Sequence, residues 1–330
     1  MEEEDMFDLL KKFTGIVGVS GNEEEIREAI IEEIKECVDE IKVDTLGNLI
    51  AVKKGKGKKI MVAAHMDEIG VMVTYIDDKG FLRFSAVGGV SRYDCIGQRV
   101  KFKNGVVGAV YYEEKLEDMK NLQLSKMYID IGARSREEAL KMVNIGDVAC
   151  FVGDAVLQGD TVISKALDNR SGCAVVVKAI KELKKTDNEI YFVFTVQEEV
   201  GLRGAKTAAF SIKPDIAIAV DVTMTGDTPE SHPMEVKCGG GPAIKVKDRS
   251  VICHPEVRKL LEESAKRNNI PYQLEILEAG GSDPGSIHLT AGGIPSGAIS
   301  IPVRYVHSPV ETASMSDINN AVKLLVEAIC

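Results

Sequence analysis

Five good metal ligands stand just past the ends of apolar runs that read as buried strands, spread along most of a 330-residue chain. They are His65 in Ala-Ala-His65-Met-Asp67, Asp168 in Ala-Leu-Asp168-Asn-Arg, Glu199 in Gln-Glu198-Glu199-Val-Gly, Asp221 in Val-Asp221-Val-Thr and His307 in Val-His307-Ser-Pro. A buried strand that ends in Asp, Glu or His is costly unless something compensates the polar group. In an α/β sheet the strand ends are also where ligands gather. The pattern predicts an α/β sheet whose strand ends bring these five residues together.

The length is large for one hydrophobic core and predicts two domains, or one domain with a large insertion. The formal net charge of −10 argues against nucleic acid as the main partner, because phosphate binding needs a basic face. No apolar run approaches the ~20 residues that cross a bilayer, so no membrane partner is expected. The opening Met-Glu-Glu-Glu-Asp is the opposite of a cationic secretory start. Seven cysteines, none in a Cys-x-x-Cys pair, read as reduced thiols in a cytoplasmic protein. Cys37 and Cys173 fall on apolar helix faces and read as packing residues.

Along the chain, a short helix is predicted over 6–13, then a second carrying Ile26, Ala29, Ile30, Ile34, Cys37, Val38 and Ile41 on one face. A hairpin-like segment surrounds Asp44–Asn48, and a nearly all-apolar strand runs from Lys59 to Ala64. From about Ile69 to Thr161 the texture changes to short strands at 71–76, 81–87, 99–103, 106–111 and 148–152. Asn104-Gly105 is a hairpin signal there, and Ser135-Arg-Glu-Glu138 is a capping box for one helix. From Asp168 the strand–helix alternation resumes, with strands at 190–196, 215–220, 272–277 and 296–301. Helices are predicted over 171–183 and 255–268, with a final one capped by Ser316. The picture is one α/β domain built from both ends of the chain, residues 1–68 and 162–330, interrupted by a β-rich insertion at 69–161 that forms a small barrel.

Two imidazoles and three carboxylates suit a pair of divalent ions. Asp168, Glu199 and Asp221 with a bridging hydroxide would balance their charge, leaving a site tolerable beside a core. Mixed nitrogen and oxygen donors fit Zn²⁺, Co²⁺ or Mn²⁺, and the absence of cysteine donors argues against a structural zinc. A two-metal site activates water and clamps the oxygens of a tetrahedral intermediate, which points to hydrolysis. Asp67 lies two residues past His65 and is placed to orient its imidazole. Glu198 precedes Glu199 and faces another way, which makes it the candidate general base. Each residue alone has a plainer reading: Asp168 as a helix cap, Asp221 as a turn residue, Glu198-Glu199 as a solvated pair. His254 and His288 are not expected as ligands, His232 reads as a loop residue before Pro233 with the wall of the substrate pocket as its alternative, and Gly239-Gly240-Gly241 lacks the Lys-Ser/Thr ending of a phosphate loop. Gly280-Gly281-Ser282-Asp283 reads either as a turn or as a place where backbone approaches a substrate.

The motifs as a set, in this order and at these separations, resemble the tetrahedral or deblocking aminopeptidases, which are co-catalytic dinuclear metallopeptidases; the resemblance covers nearly the whole chain. It implies a phosphorylase/peptidase-like three-layer α/β domain with an inserted PDZ-like or barrel domain. It further implies that Asp168 bridges two metals, that His65 and Asp221 complete one ion's shell, and that Glu199 and His307 complete the other's. Glu198 would be the base and Asp67 the orienting residue. Short peptides would be the substrates, and the insertion would pair subunits toward a tetrahedral dodecamer built from dimers. Some relatives carry the label endoglucanase, yet glycosidases generally use two metal-free carboxylates, and the acids here are accounted for as ligands. The same metal pair also suits a carboxypeptidase or deacylase, and a catalytically idle oligomeric scaffold is the reading outside enzymes.

Overall fold

The run Lys59–His65 has no solvated face to offer: Ile60, Val62 and Ala64 join one hydrophobic core, while Met61 and Ala63 join another. Burial on both faces belongs to the middle of a sheet with helices on either side. The computed structural model describes residues 2–116 and 118–330. It opens with α1 (Glu2–Thr14) and α2 (Glu24–Ile34), the hairpin β1 (Glu40–Val43) and β2 (Leu49–Lys53), then β3 (Lys59–His65). Next come β4 (Gly70–Ile76), β5 (Leu82–Val87), β6 (Arg99–Phe102), β7 (Val107–Tyr112), β8 (Met127–Asp130), α3 (Arg136–Leu140) and β9 (Val148–Phe151). The hairpin β10 (Val156–Gln158) and β11 (Thr161–Ser164) leads to α4 (Leu167–Glu182), β12 (Glu189–Thr195), α5 (Arg203–Ile212), β13 (Ile216–Thr223) and β14 (Ala243–Lys247). After α6 (Pro255–Arg267) follow β15 (Gln273–Ile276), α7 (Pro284–Ile287), β16 (Ser296–Arg304), β17 (Glu311–Ser314) and α8 (Met315–Ile329).

Two sheets result. The larger runs β1-β2-β12-β3-β13-β16-β17-β11-β10, with β14 and β15 branching from β16, and its centre β12-β3-β13-β16 is all parallel. On one face lie Leu10, Ile30, Val175, Leu261 and Leu325 of five helices, packed on Ile60, Phe192 and Ile218. On the other, α5 presents Ala205, Ala208 and Ala209 to Met61, Ala63, Ala217 and Ala219. Those small side chains let the helix approach the sheet closely. The smaller sheet closes as a barrel, β4-β5-β8-β7-β6-β9, around Val71, Phe84, Phe102 and Ile129. The mixed α/β fold with a separate barrel is the expected one.

Several expectations shift in detail. The second helix stops at Ile34, because Glu40–Val43 leave helical geometry to pair with Leu49–Val52. Cys37, Val38 and Ile41 still pack on the core, from a loop and a strand, which is why their spacing imitated a helix face. The last helix is capped by Ser314, whose Oγ accepts from the Asp317 amide at 3.3 Å; Ser316 instead donates to Asp160. Ser135 caps α3 as predicted, its Oγ accepting from Glu138 N at 3.2 Å, but the Glu138 carboxylate accepts from the Arg134 amide at 2.8 Å instead of closing the box on Ser135. The hairpin of β10 and β11 joins the large sheet through β17, so residue 161 lies within that hairpin. Helix α5 and strands β8 and β14 had not been anticipated, and α5 hid because its buried face is alanine rather than a run of large apolar residues.

Phe192 is fully buried against the helices of the larger core. Phe192→Ala is expected to cost about 3–5 kcal/mol, the usual range for a phenylalanine removed from a packed core. Equilibrium denaturation measures it, and a cost near zero would mean that this core is not packed as described.

Candidate metal centre

The parallel strands deliver the five residues to one place. His65 is the last residue of β3, Asp221 lies in the last turns of pleat of β13, and Glu198 and Glu199 follow β12. His307 follows β16, and Asp168 opens α4 just after β11. Parallel neighbours end on the same side of a sheet, so their polar tips share one crevice.

Asp168 sits at the middle. Its Oδ1 is 3.0 Å from His65 Nε2, and its Oδ2 is 3.3 Å from His307 Nε2. Around His65 stand Asp221 Oδ1 at 3.5 Å and Glu198 Oε2 at 4.0 Å. Glu199 Oε2 lies 3.2 Å from His307 Nε2. His65, Glu198 and Asp221 form one potential ligand group, and His65, Asp168 and Glu199 another, with ligand atoms within 4.8 Å of one another. All five sequence-derived residues and Glu198 are therefore brought together.

The electrostatics follow from crowding carboxylates in a dry place. Burial pushes the Glu198 carboxyl well above its ordinary range, and Asp221, Asp283 and Glu199 add to this against the pull of His65. Burial likewise raises Glu199 and Asp221. Burial also acts to raise Asp168, but hydrogen bonds from His307 and His65 outweigh it and hold that carboxyl low. Burial would lower both imidazoles, yet the surrounding acids win: His65 is raised well above its ordinary value and His307 is pushed up to about 11. Carboxylates gathered this closely around two imidazoles favour positive charge between them.

Supporting residues fix these side chains. His65 Nδ1 lies 3.1 Å from the main-chain oxygen of Asp67 and 3.5 Å from its Oδ1, so the residue expected to orient the imidazole meets it mainly through its carbonyl. The Asp67 carboxylate instead accepts from Ser20 Oγ at 2.6 Å and from the amides of Glu198 and Glu199 at 3.0 and 3.2 Å. Glu23 accepts from the amide of Gln197 at 3.1 Å, which steadies the same turn. Glu311 accepts from the amides of Asp168 and His307 at 2.9 and 2.8 Å, tying two ligand-bearing loops to one carboxylate. Neither Glu23 nor Glu311 had been singled out: a lone acid in a loop or a short strand carries no periodic signal. Buried Arg170 donates to the carbonyls of Met66 and Phe13 at 2.7 and 2.6 Å and lies 3.4 Å from Glu68, which also meets Lys165. This network holds the chain just after His65 and ties it to the end of α1. The Asp168–Asn169 peptide is cis.

The barrel also reaches the site. Gly88 and Gly89 follow β5, and a Cβ on Gly89 would fall 2.6 Å from His307 Nδ1, so only glycine lets the loop lie there. The remaining histidines stay outside the cluster. His254 caps α6, His288 follows α7, and His232 lines a groove beside the cleft. Gly239 and Gly241 donate their amides to Asp317, a structural role. Gly280, Gly281 and Ser282 line the cleft above the cluster, a space of about 350 Å³.

The donor set suits hard-to-borderline divalent ions: two imidazoles and carboxylate oxygens, with no thiolate. Glu199 Oε1 is buried with no hydrogen-bond partner among the described residues, a donor atom available to a cation. The residues present therefore fit a metal centre.

A model of the M42 glutamyl aminopeptidase family matches residues 47–324. The lysyl aminopeptidase of Pyrococcus furiosus is 36% identical over 96% of this chain and 95% of its own. An aminopeptidase structure from the archaeon Desulfurococcus kamchatkensis superposes with a TM-score of 0.96 at 39% identity, covering 100% of this chain and 95% of that one. The TET1 peptidase of Pyrococcus horikoshii, described as able to assemble into a tetrahedron or a large octahedral shell, superposes at 0.88 with 38% identity, over 98% of this chain and 99% of that one.

Proposed function

The chain belongs to the M42 glutamyl aminopeptidase family, and on that footing we propose that it removes N-terminal residues from short peptides by metal-dependent hydrolysis with Glu198 as general base. The observation that carries the reading is the placement of Asp168, whose two oxygens each face one of the two imidazoles. One carboxylate so placed can be shared by two ions. His65 and Asp221 would complete one shell, and Glu199 and His307 the other, in keeping with their pairing across 3.5 and 3.2 Å. Bound Zn²⁺, Co²⁺ or Mn²⁺ would polarise the scissile carbonyl and make water acidic enough to attack at neutral pH.

The chain's own residues do the rest. Glu198 takes the proton of the attacking water and returns it to the leaving amine nitrogen. Asp67 keeps Glu198 in place through that residue's amide and steadies His65. Gly280 and Gly281 leave room for the substrate backbone above the cluster.

Chelator-treated protein is expected to lose hydrolysis of aminoacyl-anilides and to regain it with Zn²⁺, Co²⁺ or Mn²⁺, while N-acyl amino acids remain untouched. Full activity after complete metal removal would refute metal dependence. A preference for the N-acyl substrates would replace the aminopeptidase reading with a deacylase or carboxypeptidase.

We further propose that the barrel, within 69–161, is an assembly module inserted into a catalytic domain of 1–68 and 162–330, and that the chain forms a tetrahedral dodecamer. The barrel's own closed sheet and core support this, as does the assembly described for the Pyrococcus horikoshii relative. Light scattering is expected to give about twelve times the 35.8 kDa chain mass, and a monomer at micromolar concentration would contradict it. A cytoplasmic location accords with the described helices, none of which is long and apolar enough to cross a membrane, and with the free thiols.

A further inference from the structure

The cleft above the cluster shares two wall residues, Met224 and Leu277, with a larger groove of about 1190 Å³. The groove runs between the loop 224–237, which brings Met224, Pro233 and Met234, and the strand β15 with Leu277 after it. Side chains alternate along β15: Glu275 turns inward, while Leu274 and Ile276 face the groove 40% and 57% exposed. Met224 is 50% exposed at the junction. Large apolar side chains gathered around one concavity mark a binding surface rather than ordinary scatter. Among the described residues β15 pairs only with β14, so its second edge offers backbone groups to an extended partner.

We propose that this groove binds the substrate chain beyond its first residue and selects peptides with apolar side chains at the second to fourth positions. The proposal rests on the active-site reading above. An aminopeptidase leaves a single residue on the amino side of the broken bond. The groove exceeds the ~300–1,000 Å³ of pockets that take a whole small-molecule ligand, so it is too large for that one side chain. A surface for several residues, continuous with the cleft, therefore lies on the side of the leaving peptide. An extended chain advances ~3.3–3.6 Å per residue, so three such residues follow naturally along β15. Glu235 and Glu278 also line the groove against one cation, Lys237, so its charged lining is net negative and disfavours acidic side chains there.

The test uses the full-length, metal-loaded enzyme. Substrates are an aminoacyl-anilide, a dipeptide, and two pentapeptides with the same first residue, bearing Leu or Glu at positions two to four. The leucine pentapeptide is expected to exceed the dipeptide and the glutamate pentapeptide in kcat/KM by about tenfold or more, the discrimination an apolar pocket can supply. The double variant Leu274→Glu, Ile276→Glu should lose that gain and keep anilide hydrolysis and thermal midpoint unchanged, since both positions are exposed. Leu274→Ala should lose part of it. Equal rates for all peptides in the parent enzyme overturn the proposal, as does a variant that keeps the gain. A variant that changes only the assembly mass overturns it too, and makes the groove a contact between subunits. No anilide hydrolysis by the parent enzyme would instead fell the active-site reading, and this proposal with it.

Discussion

Glu198→Gln is expected to lower kcat by about 10²–10⁴-fold, the range that a positioned proton acceptor contributes, while metal content stays the same. The substitution keeps the side chain's size and removes its capacity to take a proton near neutral pH. The backbone does not depend on the carboxylate, because Asp67 holds the Glu198 amide at 3.0 Å. The competing role is concrete: Glu198 Oε2 stands 4.0 Å from His65 Nε2, within the same potential ligand group as Asp221. If metal content and activity fell together, Glu198 would be a ligand instead of the base. Unchanged kcat with metal content retained would remove it from the mechanism.

Asp168→Ala should empty the centre. Its two oxygens face both imidazoles, so no other carboxylate here can replace it at both positions. The loss of metal affinity should exceed the ~10–100-fold seen when a mere supporting partner is removed. The backbone anchor survives the change, because it is the Asp168 amide that donates to Glu311, so folding should be retained. Elemental analysis and circular dichroism together decide it. A folded Asp168→Ala protein with full metal occupancy would end the shared-ligand assignment.

The two results read differently because they probe different links of the chain from sequence to function. Glu198 is tested for what its proton affinity does, and Asp168 for what its position does. That distinction was partly visible beforehand. Adjacent side chains diverge on a strand, and the sequence separates Glu198 from Glu199 on that expectation; in the structure β12 ends at Thr195 and both acids stand in the loop that follows. The two lie toward different imidazoles, Glu198 toward His65 and Glu199 toward His307.

Other parts were illegible for physical reasons. Glu23 and Glu311 hold backbone amides of the site, and a carboxylate that serves an amide leaves no pattern of spacing. Helix α5 was missed because alanine on its buried face does not stand out from alanine elsewhere. The continuation of α2 to Ile41 failed because the pairing of Glu40–Val43 with Leu49–Val52 overrode a helical repeat of apolar residues. The carboxylate of Asp67 was assigned to His65 from proximity in sequence, and three dimensions gave it the amides of Glu198 and Glu199 as well.

By itself the sequence determined that His65, Asp221 and the Glu198-Glu199 pair stand at or just past the ends of buried strands, since apolar runs with polar ends leave few other ways to satisfy both core and ligand. It also determined that a stretch of short strands interrupts a strand-and-helix frame. Tertiary structure alone decided that Asp168 stands between the two imidazoles, that Glu311 ties the backbone at Asp168 to the backbone at His307, and that a groove beside β15 opens from the cleft. Periodicity reports which face of an element is buried. Distances between elements depend on how the sheet stacks them, and no local pattern encodes that.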